Sequence, residues 1–158
     1  MGACGEGSMT AGKTGVEVLL VEDNPGDVRL IQEAFKELSM DVSLASVPDG
    51  DEGLEFLTDR AADESATLPD VVLLDLNLPR TDGFEFLELV RSNPDLTCVP
   101  ILVLTSSEAK DDVLESYERA ANAYLTKPTD PDEYASMVAA VGEFWFEQAA
   151  LPTTPMQA

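Results

Sequence analysis

The stretch Asp70-Val71-Val72-Leu73-Leu74-Asp75-Leu76-Asn77-Leu78-Pro79 decides the reading of this chain. Four consecutive apolar residues, two of them β-branched, read as a strand buried on both faces. Pro79 and the turn-forming Asp82-Gly83 end it. A carboxylate, Asp75, stands where the buried run stops. A charge inside the core would be costly, but at the strand end it reaches water. In open parallel α/β sheets that edge is where ligands bind. Taken alone, Asp75 reads more readily as a solvated strand end, so the weight falls on the rest of the chain.

Outward from this stretch, strands and helices alternate. Residues 16–21 form an apolar run that ends in Glu22-Asp23. Asn24-Pro25 then supplies a helix N-cap with proline at the first helical position. The helix that follows carries Val28, Ile31, Phe35 and Leu38 at helical spacing. Residues 41–47 read as a weaker strand, 51–60 as a short helix burying Leu54 and Leu57, and 61–69 as a polar loop. After the central strand, a helix over 83–91 presents Phe84, Leu87 and Val90, and Asn93-Pro94 stops it. A fourth strand covers 99–104 and leads into Thr105-Ser106-Ser107. The helix over 110–121 is thin in apolar residues, with Val113, Leu114 and Tyr117 as its buried candidates. A fifth strand over 123–126 precedes Lys127-Pro128. The last helix, 131–148, carries Tyr134, Met137, Val141 and Trp145. Residues 1–15 and 149–158 read as tails flanking one domain over 16–148.

Five alternations imply a parallel sheet with helices on both faces. Right-handed crossovers bring the carboxyl ends of the strands to one edge. Glu22, Asp23, Asp75, Thr105 and Lys127 all stand there. Three neighbouring carboxylates repel, and a divalent cation relieves them. Oxygen-only ligands completed by water favour Mg²⁺. Asp23 is expected to hold the ion directly and Glu22 through water, with Asp75 giving an oxygen and Asn77 its backbone carbonyl. Asp75 then attacks a phosphoryl group in line as a carboxylate nucleophile. Lys127 and the Thr105 hydroxyl receive the phosphoryl oxygens.

Composition excludes several classes. Hydrophobic residues make up 44% of the 158, as in a globular domain. No apolar run reaches the length of a membrane span and no signal-peptide pattern precedes the first strand, so the expected compartment is the cytoplasm. Histidine is absent, which removes histidine-activated nucleophiles and zinc sites that need histidine, and means that the chain cannot itself be a phosphohistidine donor. Cys4 and Cys98 have no metal-ligand spacing and are expected to form no framework. With 31 acidic residues against 9 basic ones, the net charge of −22 repels nucleic acid and anionic membrane. The acid is spread over nearly every helix, as expected of a protein from the salt-rich cytoplasm of a halophile.

Val-Glu-Asp-Asn at 21–24, Leu-Leu-Asp-Leu-Asn-Leu-Pro at 73–79, Asp82-Gly83, Leu-Thr-Ser at 104–106 and Tyr-Leu-Thr-Lys-Pro at 124–128 together resemble the receiver domain of two-component response regulators. The likeness is nearest to small single-domain regulators paired with phytochrome-type kinases, through Asn24-Pro25-Gly26-Asp27, the 61–69 loop and Phe144-Trp145-Phe146. Glu22 departs mildly from the aspartate that many members carry. The resemblance implies a flavodoxin-like, doubly wound sheet in the order 2-1-3-4-5. It implies Asp75 as phosphoacceptor, Glu22 and Asp23 as the acid pair, Lys127 as phosphate partner, Thr105 and Tyr124 as a switch pair, and a cis Lys127–Pro128 peptide. Asn77 and Ser107 would tune phosphate lifetime. The implied donor is a sensor histidine kinase or a histidine phosphotransfer protein. Output would go to a protein target by docking or onward transfer, with a homodimer as one form of docking. Two other readings compete. A haloacid-dehalogenase-type phosphatase wants an Asp-x-Asp pattern on the first strand, whereas the acids here are adjacent. An adaptor without phosphorylation does not need the full set of acids, Thr105 and Lys127.

Overall fold

The computed structural model describes residues 15–38, 41–106, 109–128 and 130–143. Ten elements alternate: β1 (Val16–Val21), α1 (Pro25–Lys36), β2 (Val42–Val47), α2 (Gly50–Ala62), β3 (Val71–Leu74), α3 (Gly83–Ser92), β4 (Ile101–Thr105), α4 (Lys110–Glu118), β5 (Ala123–Thr126) and α5 (Pro131–Val141). All five strands are parallel, in the order β2-β1-β3-β4-β5. This is the doubly wound, flavodoxin-like arrangement expected from the sequence.

The central strands alternate their side chains between two cores. Leu19, Val21, Val72, Leu74, Ile101 and Val103 meet Leu57 of α2 and Phe86, Leu87 and Val90 of α3. Val18, Leu20, Val71, Leu73, Leu102 and Leu104 meet Ile31 and Phe35 of α1 and Tyr134, Val138 and Val141 of α5. Each of these buried side chains contributes roughly 1.5–3 kcal/mol. Asp70, itself buried, ties β3 to β1 by accepting the Glu17 N–H at 2.8 Å.

Side-chain caps start four of the helices. Asn24 accepts the Gly26 and Asp27 N–H groups ahead of Pro25. Asp49 accepts from Glu52, Asp130 accepts from Glu133, and Asp82 with Glu85 forms a reciprocal capping box. Among the described residues, α4 has no such cap.

Several expectations are corrected. Leu114 and Tyr117 are 59% and 50% exposed rather than buried. Ser116 takes the inward position, its hydroxyl satisfied by the Asp112 carbonyl at 2.8 Å. A helix this short offers the core one narrow face, and the apolar pair lies off it. The helix stops at Glu118 rather than continuing to 121, and Ala120 turns to φ 66°. In α3 the buried aromatic is Phe86, with Phe84 only partly covered. The α2 helix extends to Ala62 into the expected loop, and β4 starts at Ile101, just after Pro100. No peptide bond among the described residues is cis, so Lys127–Pro128 is trans, the isomer an X–Pro bond prefers by about 0.5–1 kcal/mol. Cys98 is disulfide-bonded, against the expectation of unbridged cysteines. Pairing follows distance in the fold, which spacing along the chain does not show. Cys4, Ser107, Phe144-Trp145-Phe146 and both expected tails beyond Gly15 and Glu143 lie outside the described residues.

Candidate active site

The site is built where β1, β3 and β5 end. The Glu22 N–H extends the β1–β2 ladder to the Val47 carbonyl at 3.0 Å, and the Asp75 N–H extends the β3–β1 ladder to Val21 at 3.1 Å. The Lys127 N–H does the same from β5 to Thr105 at 2.8 Å. Each functional side chain therefore starts from backbone fixed by the sheet. The turn after Asp75 is equally constrained. Gly83 packs so closely on it that a Cβ would stand 2.5 Å from Leu76 Cα and 2.7 Å from the Asp75 carbonyl oxygen. Arg80 adopts φ 63° and reaches Asp49 at 3.6 Å, while the Thr81 hydroxyl bonds Asp51.

Glu22 is 2% exposed and Asp75 5%. Asp23 faces solvent beside them. One carboxylate oxygen from each of Glu22, Asp23 and Asp75 lies within 4.8 Å of the others, a spacing that fits a cation with oxygen ligands. The Lys127 ammonium pairs with Glu22 Oε1 at 2.7 Å, Asp27 Oδ2 at 2.8 Å and Asp75 Oδ2 at 3.2 Å. The second oxygens are also engaged. Glu22 Oε2 accepts the Asn24 N–H at 3.1 Å, and Asp75 Oδ1 accepts the Asn77 N–H at 3.2 Å. Three carboxylates thus face one ammonium with Asp23 beside them, so the site is short of positive charge.

Electrostatics follow from burial. Desolvation pushes the Glu22 carboxyl up to about 7, against the opposing hydrogen bond from Lys127 and with help from the Asp75 charge. Burial alone would lower the Lys127 ammonium, yet the hydrogen bonds to Asp27 and Glu22 hold it well above its ordinary value. Tyr134 is pushed up to about 12 by burial and by the nearby Asp27 charge.

The structure brings Glu22, Asp23, Asp75 and Lys127 together as expected. Asn77 is exposed beside them, with its N–H on Asp75. Thr105 is fully buried and, among the described residues, its Oγ1 has no hydrogen-bond partner. Tyr124 is half-buried on β5 and registers with Val103, which places it on the same sheet face as Thr105. Asp27 and Tyr134 are the residues that sequence reasoning did not assign to the site. Tyr134 reads along the chain as core, and its hydroxyl donates to Asp27 Oδ1 at 3.4 Å. Asp27 had one available signal: it lies in the first turn of the helix that leaves the acidic strand end, where an acid faces the same rim.

Residues 18–139 match the response regulator receiver domain family. The chain is similar to Response regulator Rcp1 of Synechocystis sp., at 42% identity over 135 residues that span 85% of this chain and 92% of that protein. Among solved structures it resembles the phosphorylated cyanobacterial phytochrome response regulator RcpA, with a TM-score of 0.80 and 38% identity. It also resembles the Mn²⁺-bound form of Rcp1, with a TM-score of 0.78 and 42% identity. Both comparisons cover 87% of this chain and 99% of the other. The chain belongs to the response regulator receiver domain family. Receivers take a phosphoryl group on an aspartate from a histidine kinase and bind a divalent metal.

Proposed function

We propose that this receiver is phosphorylated on Asp75, with Mg²⁺ held by Glu22, Asp23 and Asp75 and completed by the Asn77 carbonyl. The observation that carries the reading is the meeting of Asp75 and Lys127 at 3.2 Å within the three-carboxylate cluster. When bound, the cation supplies neutralisation of the charge on the phosphoryl oxygens. The donor is a phosphohistidine on a sensor kinase or a histidine phosphotransfer protein. An Asp75 carboxylate oxygen forms a bond to phosphorus as the phosphorus–nitrogen bond breaks, and the imidazole nitrogen keeps the electron pair. Lys127 turns from Glu22 and Asp75 to a phosphoryl oxygen, and the buried Thr105 hydroxyl donates to another. Chemistry of this kind modifies the chain itself, so the protein is a signalling receiver rather than an enzyme with an external substrate.

Output follows from Thr105. Its movement toward the phosphoryl group opens space on the face that Tyr124 shares, and Tyr124 turns inward. The surface of α4, β5 and α5, where Leu114 and Tyr117 are exposed, then changes its affinity for a protein target or a second copy. The acidic surface turns nucleic acid and anionic membrane away. Among the described residues no helix is long and apolar enough to cross a membrane. We place the receiver unit at 16–148, which contains the matched 18–139, and its work in the cytoplasm.

Incubation with a phosphohistidine donor or a small acyl phosphate tests this, with and without Mg²⁺. Wild-type protein is expected to gain one acyl phosphate only when Mg²⁺ is present, and Asp75→Asn none. Labelling that persists in Asp75→Asn would move the acceptor elsewhere.

A further inference from the structure

Lys127 carries three ammonium donors, and three carboxylates surround it. Two of them, Glu22 and Asp75, belong to the cation set. The third, Asp27, does not, and it comes from a different element. Its backbone is fixed at the start of α1, where its N–H donates to Asn24 Oδ1 at 3.2 Å. The N-terminal turn of a helix favours its charge. Its other carboxylate oxygen receives the hydroxyl of Tyr134, which is 2% exposed on α5. Asp27 is therefore gripped from both sides by groups that take no part in cation binding.

We infer that Asp27 is a positioning residue for Lys127. It is the anchor that keeps the ammonium over Asp75 when Glu22 and Asp75 turn to a cation, and it does so from the α1–α5 side of the site. The inference rests on the proposed acceptor chemistry but makes its own demand. A buried lysine whose only partners were Glu22 and Asp75 would compete with the cation for both of them. Asp27, 2.8 Å from the ammonium, is a partner for which the cation does not compete.

Two roles for Asp27 make opposite predictions. As a bystander charge it repels an anionic phosphodonor, and its neutralisation would speed the reaction. As an anchor, its neutralisation releases Lys127 and slows the reaction. The rate measured is that of labelling by acetyl phosphate at saturating Mg²⁺. There an Asp75 oxygen attacks phosphorus, the phosphorus–oxygen bond to the acetyl group breaks, and acetate leaves with the electron pair. Asp27→Asn is expected to slow this roughly tenfold or more, and Asp27→Glu, which keeps the charge, to recover most of the rate. The second readout needs no phosphoryl group. Nitrogen-15 NMR follows the Lys127 ammonium, which in wild-type protein is expected to stay protected from exchange when Mg²⁺ is added. In Asp27→Asn the signal is expected to broaden away under Mg²⁺. Circular dichroism checks the fold, and Asp27→Ser carries the same expectations if Asp27→Asn does not fold. A rate at or above wild type, or an ammonium signal that survives Mg²⁺ in the variant, overturns the inference. Failure of the wild-type protein to be labelled on Asp75 would instead overturn the proposed function, and the Mg²⁺-only NMR comparison would still stand.

Discussion

Glu22 shows at the scale of one residue how burial in this fold perturbs a carboxyl group. It is almost fully buried, and desolvation raises its carboxyl from 4.5 to about 7. A carboxyl raised on folding stabilises the folded state fully below its unfolded value. That contribution is lost as pH rises through the folded value. Metal-free wild-type protein should therefore lose stability relative to Glu22→Gln as pH rises from about 4.5 to 7, by on the order of 3 kcal/mol at most. Urea melts of the two proteins across that range measure the difference, in which the other carboxylates cancel. A difference that stays flat would show that Lys127 keeps Glu22 ionised throughout. Saturating Mg²⁺ should reduce the decline, since the cation favours the ionised carboxylate.

Among the elements, α4 is the least well secured. Among the described residues it has no side-chain N-cap, it buries only Ser116, and two residues past its end Ala120 stands at φ 66°. The left-handed region costs a residue with a Cβ roughly 1–2 kcal/mol. Glycine adopts it without that cost, at some loss of unfolded-state entropy. Ala120→Gly should accordingly stabilise the protein by about 0.5–1 kcal/mol, read as a higher urea midpoint at unchanged slope. The Arg91 hydrogen bond to the Ala120 carbonyl, at 3.0 Å, uses only backbone at that position and should persist. A lower midpoint would mean that the alanine methyl has packing value beyond its strain.

At the scale of the whole molecule, 31 acidic residues oppose 9 basic ones. At about 0.01 M salt the Debye length is roughly 30 Å, so charges across the domain repel; near 1 M it is about 3 Å, and only neighbours do. Repulsion of this kind favours the expanded chain. The melting temperature is expected to rise as KCl increases from millimolar to molar, and Mg²⁺ to raise it beyond its ionic strength by neutralising Glu22, Asp23 and Asp75. A melting temperature that stays flat or falls along the KCl series would overturn the salt-adapted reading and leave the acceptor assignment untouched.

Element order and the acidic rim were legible in the chain because their signals are local. Continuous apolar runs mark strands buried on both faces, Asn24-Pro25 marks a helix start, Pro79 and Asp82-Gly83 mark the end of the central strand, and right-handed crossovers then carry Glu22, Asp23, Asp75, Thr105 and Lys127 to one edge. Three matters were settled only by packing in three dimensions. Leu114 and Tyr117 read as core by composition, yet the way α4 lies on the sheet turns Ser116 inward. Cys98 is bridged although spacing offered no sign of it. Asp27 meets Lys127 across 100 residues of sequence, and Tyr134 reaches Asp27 across 107. Such contacts depend on how α1 and α5 dock on the same face of the sheet. Periodicity tells which side of a helix is apolar, but not which polar group at its end will find a partner from another element.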